Sequence, residues 1–199
     1  MKRSLTIAAI TLLCLSQSAL AEETGTGAYL GVGFSSNSMT SSCADGYFSS
    51  CNNPSSGPKD SGHIRLVGGY NFDKHFGFEA GLSDLGTYRV RDNSNVTVGE
   101  FKASAITLAL RGGNTFANGF SIFGKLGLAS VRTQYTVQPA WTLVGSTDQR
   151  SSGFVGGVAG QYDVNKIVGV RVSLEMIKFT DSEFNNVAGG VGLMAVFKL

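Results

Sequence analysis

The chain has 199 residues, with 16 lysines and arginines against 14 acidic residues and a formal net charge of +2. So even a balance argues against a nucleic-acid partner, which calls for a basic patch or stripe. The 27 glycines accompany only three prolines, a composition that suits crowded strands better than a disordered linker.

The amino terminus reads as a secretory signal peptide. Lys2 and Arg3 precede an apolar run from Leu5 to Leu15, and Ala19-Leu20-Ala21 offers small residues for cleavage before Glu22. That run is too short to span a bilayer, and Cys14 follows Leu12 and Leu13 with no small residue beside it, unlike a lipoprotein signal. Residues 1–21 are expected to be removed, leaving one domain over residues 22–199 with 14 basic and 14 acidic side chains. Nothing after residue 21 is apolar for the length of a transmembrane helix. Cys43 and Cys51 remain as a pair in a polar stretch. An oxidising compartment favours a disulfide between them, with two reduced thiols as the alternative. Closing so short a loop would stabilise the fold by roughly 2–3 kcal/mol. No neighbouring His or Cys points to a metal site there.

Alternation with a period of two marks eight strands in the remainder. The first, residues 27–35, sets Ala28, Leu30, Val32 and Phe34 against Gly31, Gly33 and Ser35. A long polar stretch runs to residue 62, and the second strand, 63–72, opposes Ile64, Leu66, Tyr70 and Phe72 to His63, Arg65, Val67 and Asn71. Asp73-Lys74-His75 is a tight turn into the third, 76–83, where Phe78, Ala80 and Leu82 oppose Gly77, Glu79 and Gly81. A second polar loop is expected over residues 84–99. The fourth strand, 101–112, opposes Ile106, Leu108 and Leu110 to Thr107, Ala109 and Arg111; the fifth, 120–130, opposes Ile122, Leu126 and Leu128 to Phe123, Lys125 and Gly127. A third polar loop, 133–152, contains Tyr135 and Trp141. The sixth strand covers 153–162. In the seventh, Val168, Val170, Val172, Leu174 and Met176 alternate with Gly169, Arg171, Ser173 and Glu175. The eighth, 187–199, carries Val191, Leu193, Ala195, Phe197 and Leu199 on one apolar face to the end of the chain.

Three features predict a membrane barrel rather than a soluble sandwich. Segments of about nine to eleven residues suit a tilted strand crossing hydrocarbon. Long and short connections alternate, as when one set faces outside and the other the periplasm. Arg65, Glu79, Arg111, Lys125, Arg171 and Glu175 all share the parity of small or polar residues, whereas an Arg or Lys facing lipid mid-bilayer would cost roughly 2–4 kcal/mol. Tyr70, Phe72, Phe76, Phe78, Phe120, Tyr162 and Phe197 gather near the short turns, where an aromatic girdle is expected.

Residues 67–82, Val-Gly-Gly-Tyr-Asn-Phe-Asp-Lys-His-Phe-Gly-Phe-Glu-Ala-Gly-Leu, resemble the second hairpin of the small OmpA/OmpX-type outer-membrane β-barrels. Residues 120–128 and 156–162 resemble the fifth and sixth strands of that family. The last strand resembles its terminal assembly signal, with Leu199 where the family has a final aromatic. The likeness covers nearly the whole of residues 22–199. It implies an all-β, eight-stranded antiparallel transmembrane barrel with an OmpA-like architecture and interior ion pairs. It also implies a monomer in the outer membrane of a Gram-negative bacterium, among lipid and lipopolysaccharide, inserted by the outer-membrane insertion machinery through Leu193, Ala195, Phe197 and Leu199. The fold hosts many functions, so activity does not follow from it.

The interior of an eight-stranded barrel is narrow enough for side chains to fill. Glu79 with its Arg and Lys neighbours is expected to plug the lumen; a narrow hydrated pore lined by the same charges, hence a small diffusion channel, is the alternative. Glu79, Arg111, Lys125 and Arg171 are placed toward the periplasmic half and Arg65 and Glu175 nearer the long loops. The loops are the candidates for surface binding, adhesion or interaction with host or envelope components, with Tyr47, Phe48, Tyr135 and Trp141 as exposed aromatics; headgroup anchoring is the other reading of those aromatics, and a mainly structural envelope role is the equal alternative to binding. A lipid-modifying enzyme is the remote alternative: His63 near Asp60, Ser61, Asp181 and Ser182 offers a Ser/His/Asp set only on paper, and His75 belongs to a turn. No catalytic residue or cofactor is assigned. Gly31-x-Gly33 and the glycines of residues 153–157 lack the helix of a nucleotide-binding loop.

Overall fold

A sheet with one apolar and one polar face must either cover its apolar face or put it in lipid, and its edges must be paired or hidden. The computed structural model describes residues 26–40, 62–91, 97–116, 118–137, 147–179 and 187–199. Its eight strands are β1 (Gly27–Thr40), β2 (His63–Asn71), β3 (Phe76–Arg91), β4 (Thr97–Thr115), β5 (Phe120–Val137), β6 (Thr147–Asp163), β7 (Val168–Phe179) and β8 (Val187–Lys198). Each pairs antiparallel with its neighbours in sequence, and β8 returns to β1 to close the barrel. The closing seam runs from Tyr29↔Lys198 to Thr40↔Val187, and the Leu199 amide still donates to the Ala28 carbonyl at 2.9 Å. All eight expected strands are present, and no edge is left open.

The apolar parity faces outward. Leu110 and Leu126 are 69% and 70% exposed, with Leu30, Phe34, Ile106, Leu128, Val172 and Leu193 alongside them. So continuous an apolar band is far larger than a water-soluble monomer tolerates; it is the lipid-facing wall. Along each strand this band ends abruptly at the side where the strands run long. Leu82 is followed by Asp84 on β3, Ile106 by Ser104 on β4, Leu128 by Ser130 on β5, Phe154 by Ser152 on β6, and Met176 by Lys178 on β7. At the other end Tyr70, Phe72 and Phe78 cluster with ring centroids 5.9 to 6.5 Å apart, and Phe116 stacks on Phe120 at 6.2 Å.

Two of the expected polar loops are largely strand. Only residues 92–96 separate β3 from β4, and only residues 138–146 separate β5 from β6, so most of the stretches 84–99 and 133–152 continue the ladders. Beyond the bilayer both faces of a hairpin meet water, so the apolar alternation that marks a strand fades while backbone pairing persists. A second cause is the irregularity between Asp84 and Gly86, where the register with β4 shifts. Gly86 has φ +105°, a conformation that favours glycine. The extra residue switches parity, so both Leu85 and Tyr88 are buried in the lumen. Cys43, Cys51, Tyr47, Phe48 and Trp141 lie outside the described residues.

The short turns are built on side-chain caps. Asp73 accepts from the amides of His75 and Phe76 at 2.6 and 2.7 Å, and Asn165 accepts from those of Ile167 and Val168 at 2.8 Å each. The His75 amide first, and the Phe76 amide next, hold the Asp73 carboxyl below the usual aspartate range. A depressed folded-state pKa stabilises above the unfolded value, and this stabilisation is lost as pH falls through the folded one. Asp73→Asn should therefore lower the urea midpoint at pH 7, and the gap from the wild type should vanish once pH drops below that depressed pKa; a gap independent of pH would refute the charge-assisted cap.

Candidate functional site in the barrel lumen

The inward parity brings charges from five strands together at the centre of the cylinder. Glu79 on β3 is 3% exposed and accepts from Lys125 Nζ at 2.9 Å, from Arg171 Nη1 at 2.5 Å and from the Tyr29 hydroxyl at 2.8 Å. Glu175 on β7 pairs with Lys125 at 2.7 Å and with Arg65, whose Nη2 is 4.0 Å from Glu79. Lys125 thus bridges two carboxylates, and the expected periplasmic and outer tiers of charge form one network. Burying these charges is tolerable only because each has an opposite partner at hydrogen-bond distance.

Arg111 is held differently. It donates to Asn71 Oδ1 at 3.1 Å, and its guanidinium lies 3.8 Å from the Phe123 centroid and 5.4 Å from that of Tyr29. Arg171 packs on the same two rings at 4.7 and 5.0 Å. Cations outnumber carboxylates in this layer, and the faces of Tyr29 and Phe123 supply the negative potential that a third carboxylate would. Gly69 makes room for the Tyr29 ring, which any Cβ at that position would strike.

Below this layer a polar relay runs to the periplasmic mouth. Arg171 Nε and Nη2 donate to Gln161 at 3.0 and 2.9 Å, Gln161 donates to Asp163 at 2.8 Å, and Lys198 Nζ reaches Asp163 at 2.5 Å. Above it, on the side of the long strands, the lumen is apolar: Leu85, Tyr88, Ala103, Val131, Val155, Ile177 and Phe179 form one buried cluster. The Tyr88 hydroxyl turns back to the Leu85 carbonyl at 2.8 Å, so its polar end is satisfied inside that cap. Two cavities in the lumen measure about 30 Å³ beside Arg111 and about 20 Å³ beside Arg65 and Glu175, room for roughly one water each.

Sequence reasoning identified the charged residues by parity but missed Tyr29, Gln161, Asp163 and Lys198, which share that parity and complete the partnerships. Tyr88 and the apolar cap were hidden by the irregularity at Gly86. His63 is buried in the lumen with its ring against Gly86, and its Nε2 has no partner among the described residues. Asp60, Ser61, Asp181 and Ser182 lie outside the described residues, as does the side chain of Tyr135. On the terminal strand Leu193 and Phe197 face outward with the lipid-facing set.

The model of the outer membrane protein beta-barrel domain matches residues 7–195. The chain belongs to that family. The barrel therefore lies in the outer membrane of a Gram-negative bacterium. No curated protein matches it significantly in sequence. The barrel is similar to Neisserial surface protein A, at 13% identity and a TM-score of 0.61 over 87% of this chain and 97% of that one. It is also similar to OprG of Pseudomonas aeruginosa, at 14% identity and 0.57 over 87% and 96%. A third similar structure is Ail, the attachment invasion locus protein of Yersinia pestis, in complex with the heparin analogue sucrose octasulfate, at 16% identity and 0.53 over 87% and 99%. At these identities the likeness is one of fold.

In the outer-membrane barrel, Glu79→Ala strands Lys125 and Arg171 without their shared carboxylate. It should destabilise by about 3–5 kcal/mol, the usual cost of breaking a buried pair from one side. Urea unfolding in lipid vesicles reads this directly, and a midpoint equal to that of the wild type would show that the network is not what fills the lumen stably.

Proposed function

We propose that this outer-membrane barrel is a closed scaffold, its lumen plugged by charged side chains and its activity carried by the extracellular ends. The observation that supports it best is the filling of the lumen: the Glu79 network spans the middle, the cap containing Tyr88 and Phe179 lies above it, and the described lumen cavities hold about 20 and 30 Å³. On this reading Arg65, Glu79, Arg111, Lys125, Arg171 and Glu175 have a structural role. In planar bilayers the wild type should show no steady conductance. A stable open channel that Glu79→Ala leaves unchanged would overturn the plug in favour of a small diffusion pore.

The extracellular role is surface binding, for adhesion or envelope interaction. The continuation of β3 to β6 past the lipid boundary supports it, because paired ladders hold their tips rigidly and so lower the ordering cost of binding. The fold precedent is Ail, which carries attachment in its name and holds a heparin analogue. Tyr47, Phe48, Tyr135 and Trp141 are the proposed contacts and a Cys43–Cys51 disulfide the proposed brace, in a mature protein that starts at Glu22. Replacing residues 41–61 and 138–146 with short turns should abolish cell adhesion while leaving the barrel folded; adhesion at the original level would sink the binding role. The intact mass of the membrane-extracted protein reads both the cleavage and the disulfide.

A further inference from the structure

The charged layer of the lumen holds more positive than negative charge, and the surplus lies at its periplasmic end. Arg65, Arg111, Lys125 and Arg171 face two carboxylates, Glu79 and Glu175, while Asp163 and Lys198 balance each other. Glu79 and Glu175 serve Arg65, Lys125 and Arg171. Among the described residues no carboxylate forms an ion pair with Arg111, which rests on Asn71 and two aromatic rings. Lys125 stands directly opposite Arg111 across β4 and β5, and Arg171 shares the faces of Tyr29 and Phe123 with it. Like charges directly opposed destabilise a sheet. Ring faces attract a guanidinium but bring no net charge. The layer therefore keeps a positive potential that concentrates anions.

Arg111 also borders a place where such an ion fits. The cavity of about 30 Å³ beside it lies among the short periplasmic turns, between Asp73 to His75 and Asn114 to Thr115. Donors line it. Asn71 turns its Oδ1 to Arg111 at 3.1 Å, which leaves the Nδ2 hydrogens to give on the same wall. Ser121, 5% exposed, shares one hydroxyl hydrogen with Thr115 at 3.0 Å, so the pair keeps a second one to donate. The acid in the wall is Asp73, whose Oδ1 is engaged by the amides of His75 and Phe76, with Lys74 beside it. Space for about one water admits a chloride ion or the head of a formate. It is too small for phosphate or sulfate.

We propose that Arg111, Asn71 and the Ser121–Thr115 hydroxyl pair bind one small monovalent anion from the periplasm, of chloride size, as a counter-ion of the lumen. The site does not depend on whether the lumen conducts or the extracellular ends bind a partner. The probe is chloride, exchanged for the bulky sulfonate isethionate at constant ionic strength, with the full-length mature barrel folded in vesicles of uncharged phospholipid. An ion that binds only the folded state stabilises it by mass action, so the urea midpoint of the wild type should rise with chloride and level off. Arg111→Met should remove the rise. Asn71→Asp, which builds a carboxylate beside Arg111, should also remove it and unfold no earlier than the chloride-saturated wild type. Lys166→Gln, in another short turn, should keep the rise. A wild-type midpoint indifferent to chloride overturns the proposal, as does a rise that persists in Arg111→Met or Asn71→Asp. A second measurement needs no unfolding: in uncharged micelles the wild type should broaden the chlorine-35 resonance, and formate, but not isethionate, should reverse this. Asn71→Asp should weaken the chloride affinity read from that broadening roughly tenfold or more, the usual scale for losing a charge-assisted hydrogen bond. Equal broadening by the two proteins, or reversal by isethionate, rules the site out.

Discussion

A carboxylate at the centre of a lipid-embedded cylinder has no bulk water to fall back on, and Glu79 meets that constraint with three donors from three other strands. Lys125 comes from β5, Arg171 from β7 and Tyr29 from β1. Because those partners arrive from around the circumference, their bonds tie the wall across its diameter, where backbone ladders act only along it. An unpaired charge here would be costly, so strand register and closure must be right before the network forms. The packing of Arg111 and Arg171 on Tyr29 and Phe123 follows from the same limit: with fewer acids than bases in the layer, ring faces and the amides of Asn71 and Gln161 complete the coordination.

The rest of the lumen is arranged around that centre. Toward the periplasm the relay from Gln161 through Asp163 reaches Lys198, so the last residue of β8 is anchored to the end of β6 as well as to β1. Toward the outside the filling turns apolar, and the change depends on one backbone irregularity. Without the register shift at Asp84 and Gly86, Tyr88 would share the outward parity of Phe78 and Leu82. The shift swings it inward to close the cap. His63 packs over Gly86 at the same point, where no side chain would fit.

Outside, one boundary orders the molecule. Below it the wall is apolar, with aromatics clustered at the periplasmic end and Phe34 and Phe154 just under the boundary; above it the same parity carries Ser, Asp, Lys and Arg. The strands ignore this boundary and continue as ladders, since hydrogen bonding between backbones does not depend on what solvates the faces. Family membership assigns the two ends to the periplasm and the exterior.

Everything that rests on a two-residue period can be read along the chain. Strand number, the lipid-facing set, the inward parity of Glu79, Lys125, Arg171 and their neighbours, and the short turn at Asp73 were all legible, because alternation and turn chemistry are local. Where the period breaks or loses its meaning, the reading stopped: at Gly86, where one extra residue reverses parity, and beyond the membrane, where polar strands look like loops. Which charges meet is set by the closed fold. Lys125 bridges Glu79 and Glu175, and Arg111 goes to aromatic faces instead of an acid, because partners drawn from different strands are set by register around a closed barrel, and no stretch of sequence encodes that distance.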